Sequence, residues 1–128
     1  MSNNVSVEHK RLMESLLEKH QLIADVIGDK AVSYIDVPLY RNVGDLLIMQ
    51  GSLAFFQRYN ISVSYKANWF NVARNCIPPH DVVVFQGGGN LGDLYGGCQV
   101  VRETLIPQLR QQRVVILPQS IHFEQEEN

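Results

Sequence analysis

Residues 81–97 read DVVVFQGGGNLGDLYGG, and how this stretch is read decides the fold. Val82, Val83, Val84 and Phe85 form a short β-branched and aromatic run, the composition of a strand buried on both faces of a parallel sheet. Gln86 leads from it into Gly87, Gly88 and Gly89, where three missing side chains let the backbone turn sharply and approach a ligand closely. Asn90, Asp93 and Tyr95 add hydrogen-bonding groups, and a helix is expected to start near Gly97. Open α/β sheets hold their ligands beyond the carboxyl ends of their strands, so this turn reads as a binding site.

Outward from this stretch, the chain alternates helices and strands. Over residues 5–27, Leu12, Leu16, Ile23 and Ile27, with Met13, Leu17 and Ala24, recur at helical spacing, and Gly28-Asp29 ends the helix. Its basic residues are matched by acids, so it reads as packed on the sheet rather than laid on a membrane, with His20 packed on its apolar side. A strand over residues 32–37 follows, then a helix over 46–58 that Asn42 or Asp45 would cap. That helix is apolar on most sides and must be covered on more than one. A second strand is expected over 61–65, and a loop over 68–80 delivers the chain through Pro78 and Pro79 to residues 82–85. A helix over 97–111, kinked or shortened by Pro107, precedes a fourth strand over 113–117.

The order is helix, β-α-β, loop, β-α-β. Right-handed crossovers then favour four parallel strands with helices on both faces, a Rossmann-like α/β domain. Only a short polar tail follows the last strand, so no helix covers its outer face and the chain reads as the front portion of something longer.

At 128 residues the chain is one domain at most, and 45% hydrophobic residues suffice for a core. Charged residues at 19% and a net charge of -2 exclude a disordered acidic chain and a general nucleic-acid binder. Cys76 and Cys98 form no CxxC pair, and the four histidines form no ligand cluster, so a reduced cytosolic setting and no metal are expected. The polar N-terminus has no signal-peptide core, and no apolar run approaches the ~20 residues that span a bilayer.

Gly87-x-Gly89-x-x-Gly92 matches the dinucleotide fingerprint formally. Two features count against it: the next strand ends in Leu117-Pro-Gln-Ser120 with no acidic residue for a ribose, and Asp93 and Tyr95 separate the glycines from the helix. Asn42-Val-Gly44-Asp45 and Asn90-Leu-Gly92-Asp93 share an outline, each after an expected strand. Two ordinary capped turns would use the same residues. Recurrence at two strand ends of one sheet favours a shared cleft whose amide and carboxylate groups suit sugar hydroxyls. His122 follows the fourth strand on that same edge, a place for binding or acid–base work. Arg41 adjoins the first turn and suits an anion, while Asp36, Tyr40, Gln86 and Gln119 are weaker candidates. Trp69 and Phe70 read as a loop anchor or as an aromatic platform for a sugar ring.

Taken together, IDVPLYRNVGDLLI, FQGGGNLGDLYGG and ILPQSIHF resemble the polysaccharide pyruvyl transferase family over about residues 34 to 123. The resemblance implies a two-domain architecture similar to the GT-B glycosyltransferases, with this chain as an N-terminal portion lacking the second domain and inactive alone. It implies transfer of a pyruvyl group from phosphoenolpyruvate to a sugar hydroxyl, making a ketal in exopolysaccharide biosynthesis. The acceptor would be a saccharide or a lipid-linked oligosaccharide, which leaves room for peripheral membrane association, and no cofactor is implied. On this pattern His122 is the acid–base candidate, and Asp45 or Asp93 orients or deprotonates a hydroxyl. Asn42 and Asn90 hold the acceptor or cap the turns, and Gly44, Gly87, Gly88, Gly89, Tyr95 and Arg41 complete the substrate contacts. Phosphoenolpyruvate needs cationic partners for its phosphate and carboxylate, whereas these motifs are rich in Asp, Asn and Gly; most of the donor clamp is therefore expected elsewhere. The rival readings are a sugar-nucleotide glycosyltransferase of similar shape, and a non-catalytic domain whose uncovered edge promotes association.

Overall fold

The β-branched stretches pair as one parallel sheet in a computed structural model that describes residues 2–39 and 42–124. Along the chain run α1 (Ser2–Ile27), β1 (Val32–Ile35), α2 (Val43–Arg58), β2 (Val63–Ala67), β3 (Val82–Phe85), β4 (Gly88–Gly92), α3 (Gly96–Leu105), β5 (Val114–Ile116) and β6 (Gln119–His122). The main sheet has the order β2-β1-β3-β5, and every neighbouring pair is parallel. Its central strands β1 and β3 are buried along their whole length, as their unbroken apolar spelling requires.

Strand alternation sends side chains to two cores. Val32, Tyr34, Val82 and Val84 meet Ile27 of α1 and Phe55 and Phe56 of α2 on one face. Ile35, Val83 and Phe85 meet Val101 and Leu105 of α3 on the other. The fold is therefore an α/β sheet with helices on both faces. Each large side chain so buried is worth about 1.5–3 kcal/mol against exposure.

Several boundaries differ from the sequence reading, each for a local reason. β1 stops at Ile35 because buried Asp36 takes a left-handed backbone conformation, φ +63. α2 starts at Val43 rather than residue 46, since Asn42 Oδ1 accepts from the amide of Gly44 at 3.0 Å. β2 begins at Val63 rather than residue 61, because the Ile61 amide donates to Phe56 O at 2.8 Å and finishes the helix end. α3 ends at Leu105, and Pro107, which has no amide to donate, sits in the 3-10 turn Ile106–Gln108. The C-terminal end of α1 packs through Ile23, Ala24 and Ile27, while its N-terminal half projects, leaving Leu12 and Leu16 exposed. No helix among the described residues is long and apolar enough to cross a membrane.

The largest difference lies in the glycine-rich stretch. Beyond the sharp bend at Gly87, Gly88–Gly92 is a strand, β4, paired in parallel with β6, which was expected to be tail. A Cβ on Gly92 would stand 1.8 Å from His122 O, and one on Gly87 would stand 2.6 Å from Pro118 O. The missing side chains thus let two backbones meet; the close approach is to the chain itself. This small ribbon extends beyond the carboxyl ends of the main strands and walls the cleft described next.

Candidate functional site

At the carboxyl edge of the sheet lies a cleft of about 390 Å³. The start of α2 gives Asn42 and Asp45 to its lining, and β4 gives Asn90. The opposite side comes from Tyr95 and the first turn of α3, with Trp69 from the loop after β2. That loop is stiffened by its own amides: Asn68 Oδ1 accepts from Phe70 N at 3.0 Å and Asn71 N at 2.9 Å, and Asn71 Oδ1 accepts from Asn68 N. The Trp69 indole lies directly on Gly97, where a Cβ would come within 2.9 Å of the ring. Trp69 is about one-third exposed, so one part of the ring is open to a bound molecule.

Beneath the cleft sits a buried polar layer. Asp36 Oδ2 accepts from Arg102 Nη1 at 2.8 Å and from Asn90 Nδ2 at 3.3 Å. Arg102 also donates to Cys98 O at 2.8 Å and to Gln86 O at 3.2 Å, with its guanidinium 5.5 Å from the centre of the Phe85 ring. Gln119 Nε2 donates to the same Gln86 O at 2.9 Å, and the Gln86 side chain accepts from the Tyr34 hydroxyl. Burial pushes the Tyr34 phenol up to about 12; a hydrogen bond with Ser52 opposes the rise and the Asp36 charge adds to it.

Of the residues singled out from sequence, Asn42, Asp45, Asn90 and Tyr95 share this cleft. Asp93 and His122 lie at the far end of the ribbon instead. The Asp93 carboxylate accepts from Glu124 N at 2.9 and 2.8 Å. His122 pairs with Gly92 through its backbone, and its half-exposed ring stands 3.5 Å from Glu124 Oε1. Gly44 is in the first turn of α2; Gly88, at φ +108, lies against Ile48 with Asp45 Oδ1 just beyond; Gly89 faces Ser120. Arg41 and Tyr40 fall outside the described residues. Among those described, no three His, Cys, Asp or Glu side chains gather as metal ligands.

Arg102 was not singled out from the sequence, yet it ties the cleft floor together. Its signal is positional: Cys98, Val101, Arg102 and Leu105 are the buried stripe of α3, so an arginine occupies a place that the helical period reserves for an apolar residue.

Comparison with known proteins adds an independent line. The polysaccharide pyruvyl transferase family matches residues 42–128, a span that contains both Asn-x-Gly-Asp segments. EpsO of Bacillus subtilis (strain 168), provisionally named a pyruvyl transferase, is 42% identical over 95% of this chain. General stress protein 30 of the same organism is 26% identical over 94% of it. Pyruvyl transferase 1 of Schizosaccharomyces pombe (strain 972 / ATCC 24843) is 28% identical over 78% of it. The chain spans 38% of the length of EpsO, 37% of the stress protein and 27% of the yeast protein.

Proposed function

This chain belongs to the polysaccharide pyruvyl transferase family, and on that premise we propose that its cleft holds the saccharide acceptor while a pyruvyl group is transferred from phosphoenolpyruvate. One observation carries the reading. Asn42 and Asp45, from one turn, and Asn90, distant in sequence, share a cleft with an indole about one-third exposed, and amides, a carboxylate and an aromatic face are what a sugar ring engages. The volume of about 390 Å³ falls within the ~300–1,000 Å³ of small-molecule sites.

In this reading a proton goes to the terminal methylene carbon of phosphoenolpyruvate, and a sugar hydroxyl attacks the adjacent carbon. Phosphate then leaves, and a second hydroxyl closes the ketal. Asp45 orients and deprotonates the attacking hydroxyl from inside the cleft. The first turn of α3 also lines the cleft, and its N-cap residue Tyr95 makes no side-chain capping bond. The positive end of the α3 dipole on that side supports a donor carboxylate or phosphate there. An exopolysaccharide product, made in the cytoplasm on a free or lipid-linked acceptor, completes the proposal.

The test is phosphate release from phosphoenolpyruvate by the protein that carries this chain, with and without a saccharide. Acceptor-dependent release is expected, and Asp45→Asn should lower kcat by about 10²–10⁴-fold. Turnover of a nucleotide sugar without phosphoenolpyruvate would replace the reading with a glycosyltransferase.

A further inference from the structure

We propose that Asp36 and Arg102 are positioning residues for the cleft: they fix the side chain of Asn90 so that its Oδ1, and not its amide nitrogen, meets the bound saccharide. The inference rests on the saccharide reading of the cleft, and it assigns to a buried pair a role in choosing which hydroxyl geometry is accepted.

A carboxamide has one donating and one accepting end, and rotation about its last bond exchanges them. At Asn90 that freedom is removed. Nδ2 donates downward to Asp36 Oδ2 at 3.3 Å, and among the described residues no other hydrogen bond fixes the side chain, so Oδ1 is the end left for the cleft that Asn90 lines. An ionised carboxylate accepts only, so the amide cannot turn over without placing oxygen against oxygen. Asp36 is 1% exposed and Arg102 3% exposed, and the guanidinium faces that carboxylate at 2.8 Å in the interior. The two further bonds of Arg102, to Cys98 O and Gln86 O, prevent the pair from shifting.

Packing alone does not account for this arrangement. A buried ion pair is commonly no more stabilising than apolar side chains of the same volume. Asp36 also holds a left-handed backbone, φ +63, that non-glycine residues seldom adopt. Strain and a desolvated pair retained directly under a ligand-sized cleft indicate preorganisation. With Asp45 in the same lining, the cleft then offers two acceptors to hydroxyl hydrogens.

The test uses the protein that carries this chain, three variants, and the first two of these combined. Asp36→Gly with Arg102→Met removes both charges, leaves no unpaired one and tolerates the φ at residue 36. Asn90→Ala removes the positioned amide, and Arg102→Lys retains the cation. In ¹H–¹⁵N spectra the Asn90 side-chain amide should exchange slowly in the parent and in Arg102→Lys, and rapidly in the double variant. With phosphoenolpyruvate and methyl β-galactopyranoside or methyl β-glucopyranoside, the double variant should raise the saccharide KM by up to about tenfold, with kcat and the phosphoenolpyruvate KM within about twofold. Adding Asn90→Ala to it should raise the KM no further. A structural tie would instead lower the active fraction and hence kcat. Unchanged amide exchange, or full additivity with Asn90→Ala, overturns the proposal. Absence of phosphate release by the parent refutes the pyruvyl reading, and amide exchange then still decides whether the pair sets Asn90.

Discussion

At residues 42–45 the spelling Asn-Val-Gly-Asp opens α2: Asn42 Oδ1 accepts helix amides, Gly44 has helical backbone, and Asp45 sits in the first turn. At residues 90–93 Asn-Leu-Gly-Asp ends β4. There Asn90 donates to a buried carboxylate, Gly92 takes φ +120, and Asp93 accepts from the backbone of Glu124. The asparagine thus acts as acceptor in one place and donor in the other, because the neighbour decides. The first segment is a local device that any helix start would accept; the second depends on partners distant in the chain.

The sharpest break between the two is at their glycines. Gly92→Ala places a Cβ 1.8 Å from His122 O at a backbone conformation unsuited to it. Strain of about 1–3 kcal/mol and overpacking of about 1–3 kcal/mol predict a loss on the order of 4 kcal/mol in denaturant titration. A near-neutral result would mean that β4 does not lie against β6.

The next effect concerns the ground under the second segment. Tyr34 supports Gln86, and its pKa rises on folding from 10.0 to about 12. The folded state therefore holds the phenolic proton more tightly than the unfolded one. The resulting stability is fully present below pH 10 and is lost as pH rises through about 12. Urea unfolding of the parent and of Tyr34→Phe should differ by about 1.4 kcal/mol less for each pH unit across that window. Parallel profiles would show that Tyr34 ionises without hindrance.

At the first segment the expectations are smaller. Asn42→Ala should cost about 1 kcal/mol through the lost cap. Gly44→Ala should stay within about 0.5 kcal/mol in the same assay, as gained helix propensity of ~1 kcal/mol is offset where its Cβ comes 3.3 Å from Asn42 Oδ1. A loss at Gly44 comparable to that at Gly92 would erase the distinction.

What was legible in the sequence follows the same division. Val82–Phe85 announced a buried strand because β-branched and aromatic residues without polar interruption have few other homes. Asn42 announced a helix start because its signal spans only a few residues. β4 was hidden, since GGNLG carries no β propensity and its strand character comes from Gln119–His122. Arg102 was hidden for a related reason: its counter-charge is Asp36, sixty-six positions away, and no local rule links them. His122 was legible as a residue on the carboxyl edge, but its orientation depends on the ribbon pairing. Local signals fix elements; the site is made by what they meet.

The ribbon has one consequence for how the molecule comes together. Parallel strands cannot be joined by a tight hairpin, and Gln86 and Gln119, which anchor β4 and β6, lie thirty-three positions apart with α3 and β5 between them. The wall of the cleft therefore closes only after that intervening crossover has docked, and the entropy of closing so long a segment is met by bonds made elsewhere. Asn90 acquires its address at the end of assembly, and any lesion that stops the chain before Gln119 leaves β4 without the strand it pairs with.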